Sequence, residues 1–128
     1  MPDRILIVDD EPDMRMLLRM TLERSGFDVE EAETGEEAVA MAGDASIDLV
    51  LLDMNLPGID GLEAAAAIRQ DGRIDLPLII LTAASDATLP ERAEAGGCTD
   101  VISKYMPSEE LVEAIRATLG FDEGKAAR

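Results

Sequence analysis

Five residues in this 128-residue chain stand where chemistry could be done: Asp9, Asp10, Asp53, Thr82 and Lys104. Each follows a short apolar run. Ile5 to Val8 leads into Asp9 and Asp10, Leu49 to Leu52 into Asp53, Leu78 to Leu81 into Thr82, and Val101-Ile102-Ser103 into Lys104. Runs of this length, bounded by turn residues, read as buried strands. If the strands are parallel, their carboxyl ends meet at one sheet edge, which is where open α/β sheets place ligand sites. Three carboxylates against one ammonium leave that edge negative. Crowded carboxylates hold raised pKa values unless a hard, oxygen-preferring divalent cation lies between them, and Mg2+ is the candidate.

Singly, each residue has a bland explanation. An acid pair is most often a solvated turn, a threonine at a strand end is an ordinary hydroxyl, and a lysine is a surface charge. Their joint placement at the ends of four strands favours a site. The pairs Glu30-Glu31, Glu36-Glu37 and Glu109-Glu110 are read as solvated surface. Met14, Met16, Met20 and Met41 are read as core filling rather than as a partner-binding stripe.

The elements that must position these groups alternate along the chain. After the first strand, Pro12 suits the first turn of a helix, whose apolar residues Met14, Leu17, Leu18 and Leu22 recur at helical spacing until Gly26. Phe27 to Ala32 alternates apolar and acidic, as a half-exposed edge strand does. Thr34 caps a second helix, with Glu37 at capping-box spacing, which ends near Gly43-Asp44. The third strand is Leu49 to Asp53, and Pro57-Gly58 turns the chain into an alanine-rich helix from Gly61 to Gln70 with Leu62, Ala65, Ala66 and Ile68 on its apolar face. Pro77 opens the strand Leu78 to Thr82. Pro90 is tolerated only in a first helical turn, so the fourth helix starts near Leu89 or Pro90 and reaches only about Ala95, after a loop from Ser85 to Thr88. A short strand Val101 to Ser103 and a helix from Ser108 to about Leu119 complete the pattern. Strands alternating with helices predict a parallel sheet covered on both faces.

Composition narrows the function. The formal charge of −17 repels phosphate backbones and anionic lipid, and only three aromatics, Phe27, Tyr105 and Phe121, could stack on bases, so direct nucleic-acid binding is disfavoured. With no histidine, a histidine-based triad and a phosphohistidine carrier are excluded. Cys98 is the single cysteine and is read as a small buried residue; with no signal region and no apolar stretch of spanning length, a cytoplasmic location is expected.

The five residues, in this order and at these strand ends, resemble the receiver domain of bacterial two-component response regulators from about Arg4 to Leu119. The resemblance implies a flavodoxin-like, doubly wound α/β fold with five parallel strands in the order 2-1-3-4-5 and five helices, the fourth short. It implies one receiver domain over residues 1–120, with 121–128 a flexible tail or the start of a linker. It implies phosphorylation of Asp53 by a sensor histidine kinase or phosphotransfer protein. Mg2+ would be held by Asp10, Asp53 and the Asn55 carbonyl, with Asp9 acting partly through water. Thr82, the Ala83 amide and Lys104 would receive the phosphoryl oxygens. The module would not be an enzyme beyond its own phosphorylation and dephosphorylation. It would signal to a downstream protein through the fourth helix, fifth strand and fifth helix, as a monomer or weak dimer.

Two departures fall on that output side. Val101, three residues before Lys104, stands where the family usually has an aromatic that swings between exposed and buried, and Tyr105 follows Lys104 where a proline is usual. A cis bond before a non-proline residue costs roughly 2.5–4 kcal/mol, so this bond is expected to be trans, with some displacement of Lys104. Tyr105 is not well placed to replace the missing aromatic. Two rival readings stay open: a phosphate-independent interaction module on the receiver fold, and a metal-dependent phosphohydrolase, which would usually need an acid where Asn55 stands.

Overall fold

A computed structural model describes residues 2–83 and 85–120. The tail expected at 121–128 lies outside the described residues. The elements run β1 Arg4–Val8, α1 Pro12–Arg24, β2 Asp28–Ala32, α2 Gly35–Ala42, β3 Leu49–Asp53, α3 Gly61–Gln70, β4 Leu78–Thr82, α4 Leu89–Ala95, β5 Asp100–Ser103 and α5 Ser108–Leu119. All strand pairs are parallel, in the order β2-β1-β3-β4-β5. This is the flavodoxin-like, doubly wound arrangement, and the alternating β2 takes the edge.

The continuous apolar runs are explained by burial on two faces. Leu6, Val8, Val50, Leu52 and Ile80 face one way, against Ala38 and Ala42 of α2, Ala64, Ala65 and Ile68 of α3, and Leu89 and Ala93 of α4. Ile5, Ile7, Leu49, Leu51, Ile79 and Leu81 face the other, against Leu18 and Leu22 of α1 and Leu111, Val112 and Ile115 of α5. Successive residues of one strand therefore stabilise opposite layers.

Helix starts follow local chemistry. Pro12 opens α1 and Pro90 lies in the first turn of α4. Thr34 Oγ1 accepts from the Glu37 amide, one half of the box its spacing predicts. The reciprocal box is found instead at α3, between Asp60 and Glu63. In α3 the buried alanines are Ala64 and Ala65, and Ala66 is only partly covered, which corrects the expected face by a fraction of a turn.

The methionines divide. Met14 and Met41 pack against the two core layers, whereas Met16 and Met20 are exposed, together with Leu17. The correction has a geometric cause, since α1 is apolar around much of its circumference and Leu18 and Leu22 alone suffice to meet the sheet.

Candidate functional site

The parallel register brings the strand ends into one place. Val8 pairs with Leu52, Asp53 with Leu81, and Thr82 with Ser103, so the next residue of each strand enters the same edge. Asp9 and Asp53 are almost fully enclosed, 1 % and 3 % exposed, and Thr82 is also buried; Asp10 is exposed. Carboxylate oxygens of Asp9, Asp10 and Asp53 lie within 4.8 Å of one another.

Lys104 reaches into this cluster. Its Nζ lies 3.1 Å from Asp9 Oδ2 and 3.2 Å from Asp53 Oδ2, donating a hydrogen bond to the latter. The bond to Tyr105 is trans, and Lys104 nonetheless touches both acids, so the expected displacement is not seen at the ammonium. Backbone bonds support the placement: the Lys104 amide donates to the Thr82 carbonyl and the Met54 amide to the Leu81 carbonyl. The remaining carboxylate oxygens fold back on their own loops. Asp9 Oδ1 accepts from the Glu11 amide at 2.9 Å, and Asp53 Oδ1 from the Asn55 amide at 3.1 Å.

Electrostatics separate the two partners. Burial, then the nearby Asp9 charge, push the Asp53 carboxyl above its ordinary pKa, against the lowering effect of the Asn55 amide and Lys104. Burial also works to lower the Lys104 pKa, but its contacts with Asp9 and Asp53 outweigh it and hold the ammonium above the usual lysine value. Among the described residues, Asp9 Oδ2 is a buried oxygen that accepts no hydrogen bond; its approach to Lys104 is an ion pair without hydrogen-bond geometry. A buried carboxylate oxygen left in this condition, with two further carboxylates beside it, suits an oxygen-preferring divalent cation.

The other expected residues are placed less centrally. Asn55 and Ala83 are exposed on the loops that follow β3 and β4. Val101 is partly buried against the layer that carries α4, and Tyr105 is 79 % exposed. A groove of about 470 Å³ beside Val101 is walled by Pro90, Ala93, Glu94 and Cys98. Cys98 is only half-buried, and burial pushes its thiol up to about 11, which leaves it an inert packing residue at neutral pH.

A model of the response regulator receiver domain matches residues 5–116. The chain belongs to the receiver-domain family of response regulators. Similar curated proteins include the transcriptional regulatory protein ResD of Bacillus subtilis, 40% identical over 116 residues that make up 91% of this chain and 48% of ResD. The transcriptional regulatory protein SrrA of Staphylococcus aureus is 38% identical over 119 residues, 93% of this chain and 48% of SrrA. The receiver chain thus spans about half the length of these relatives. Among solved structures, the chemotaxis protein CheY4 of Vibrio cholerae matches with a TM-score of 0.86 at 29% identity, covering 92% of this chain and 99% of CheY4. A two-component response regulator of the LuxR family from Aurantimonas gives 0.86 at 33% identity, covering 93% and 86% of the two chains.

Receiver domains are signalling modules that interact with histidine kinases, and the acid cluster of this one is compatible with a bound metal. Among the described residues, no helix is long and apolar enough to cross a membrane. Two residues escaped sequence reading. Gly61 opens α3 where an added Cβ would stand 2.6 Å from the Asp53 carbonyl oxygen, and its only signal is a glycine at a helix start. Arg15 binds the Asp9 carbonyl, a backbone acceptor that leaves no mark in the pattern of side chains.

Proposed function

We infer that this receiver domain, residues 1–120, takes a phosphoryl group on a carboxylate oxygen of Asp53 from the phosphohistidine of a sensor histidine kinase or phosphotransfer protein. The observation that carries this reading is the Lys104 ammonium, which contacts Asp9 and Asp53 at 3.1 and 3.2 Å at the mouth of a three-carboxylate cluster. Asp9, Asp10 and Asp53, with the Asn55 carbonyl, would hold Mg2+. Bound there, Mg2+ offsets the charge of the carboxylates and of the incoming phosphoryl group.

The chain's own groups supply the rest. Asp53 acts as the nucleophile: one of its oxygens bonds to phosphorus as the phosphorus–nitrogen bond of phosphohistidine breaks, and the electron pair returns to the imidazole. Such transfer depends chiefly on positioning and on charge stabilisation at the phosphoryl oxygens. Lys104 offers an ammonium to one of them, and the Thr82 hydroxyl with the Ala83 amide receives another. Moving Lys104 and Thr82 towards the phosphate would shift β4, β5 and their loops, and α4, β5 and α5 form the face that a downstream protein reads. With a net charge of −17, the domain addresses proteins rather than nucleic acid.

A second reading, a phosphate-independent interaction module, is favoured by one feature: the small Val101 beside the groove at α4, in place of a switching aromatic. The two readings diverge in intact mass after incubation with Mg2+ and acetyl phosphate. A single phosphoryl adduct, lost in Asp53→Asn, is the expected result. No adduct in a protein that still binds Mg2+ would move the function to the phosphate-independent module.

A further inference from the structure

Among the described residues, Arg15 is the least exposed of the arginines that form ion pairs, its side chain 11 % exposed on α1. It is held from two sides. Its Nε donates to Glu31 Oε1 at 3.0 Å and its Nη2 to Glu33 Oε1 at 3.3 Å, at and just beyond the end of β2. Its Nη1 donates to the Asp9 carbonyl at 2.7 Å. Glu31 also accepts from Arg19, through its other oxygen, while among the described residues Oε1 is left to Arg15 alone.

The Asp9 carbonyl belongs to the peptide unit that joins Asp9 to Asp10. A peptide unit is a rigid plane, and its orientation is set by the soft dihedrals on either side, ψ of Asp9 and φ of Asp10. Holding that carbonyl therefore fixes the direction in which two adjacent carboxylates leave the backbone. Asp9 has further restraints, since its amide donates to the Ala32 carbonyl and its Oδ1 accepts from Glu11. Asp10 is exposed, and no side-chain hydrogen bond or ion pair to it is found among the described residues. Its orientation depends on the plane that Arg15 holds.

We propose that Arg15 is a positioning residue for the cation site, acting through the Asp9–Asp10 peptide and anchored by Glu31. The inference rests on the reading of Asp9, Asp10 and Asp53 as Mg2+ ligands. It makes a prediction opposite in sign to that of simple electrostatics. Arg15 is a positive charge near a cation site, so on charge alone Arg15→Met should tighten Mg2+ binding. As a positioning residue, its loss should weaken Mg2+ binding, by roughly tenfold or more, as for other groups that orient metal ligands.

The test is calorimetric titration of Mg2+ into wild type, Arg15→Met, Arg15→Lys and Arg19→Met, with amide NMR spectra of the metal-free proteins. Arg15→Lys keeps the charge but loses the fork that reaches Glu31 and the Asp9 carbonyl together, and it provides a second variant where Arg15→Met does not fold. Weaker binding in both Arg15 variants is expected, with Asp10 and Glu11 amide resonances shifted before any metal is added. Arg19→Met, which loses a contact to Glu31 but touches neither Asp9 nor Asp10, should bind Mg2+ within about twofold of wild type. Unchanged or tighter binding in a folded Arg15 variant would overturn the proposal while leaving the functional reading intact. Absence of Mg2+ binding by wild type would remove the functional reading and this inference with it.

Discussion

At the scale of the residue, the site is a conflict between burial and charge. Asp53 is enclosed beside Asp9, and Lys104 relieves only part of the cost, so the carboxyl stays above its ordinary pKa in the metal-free protein. The sign of the resulting pH dependence is fixed. A carboxyl whose folded pKa exceeds its unfolded value binds its proton more readily when folded, so the protein gains stability as pH falls from that raised value towards the ordinary carboxylate value of 3.8. Denaturant unfolding without Mg2+ should show this gain in wild type relative to Asp53→Asn across that window. Parallel curves for the two proteins would mean that Asp53 is not strained by its surroundings. The acids and the lysine were legible because each directly follows an apolar run. Arg15 was not, since its partner Glu31 lies 16 residues away and its key acceptor is a carbonyl.

At the scale of the element, α3 shows how a helix start constrains the nucleophile. Gly61 donates its amide to the Met54 carbonyl, and an added Cβ would lie 2.6 Å from the Asp53 carbonyl oxygen and 3.0 Å from Met54 Cα. Helix propensity alone would make Gly61→Ala stabilising by up to about 1 kcal/mol. The approach to backbone atoms, which cannot rotate away, reverses the sign, and a loss of about 1–3 kcal/mol in equilibrium unfolding is expected. A stabilised variant would show that the loop after Asp53 yields easily. All ten elements were legible from apolar runs and breakers, including the brevity of α4, which Pro90 confines from one side and Gly96 from the other. The phase of two helices was less so. Successive alanines in α3 offer no contrast between faces, and α1 carries apolar residues on its outer side as well as its inner one, so only the sheet decides that Leu18 enters the core and Leu17 does not.

At the scale of the whole molecule, charge opposes the fold. A formal charge of −17 compresses 28 acids into one small domain, and the ion pairs that relieve it, such as those of Arg4, Arg19 and Arg92, are partly exposed and contribute at most about 1 kcal/mol each. Salt screens both effects, with a Debye length falling from about 30 Å at 0.01 M to about 3 Å at 1 M. Repulsion summed over the surface outweighs a handful of exposed pairs, so the melting temperature should rise with sodium chloride; a fall would assign more stability to the pairs than their exposure allows. The two-layered core was legible at this scale too, because runs buried on both faces can exist only in a sheet covered on both sides. Tyr105 gives the molecule a last property. It is the only tyrosine in a chain without tryptophan, it is 79 % exposed, and it adjoins Lys104. Excited at wavelengths that phenylalanine does not absorb, the protein therefore emits from the single residue next to Lys104, a built-in lamp for the loop that carries that lysine, while the core can melt almost in the dark.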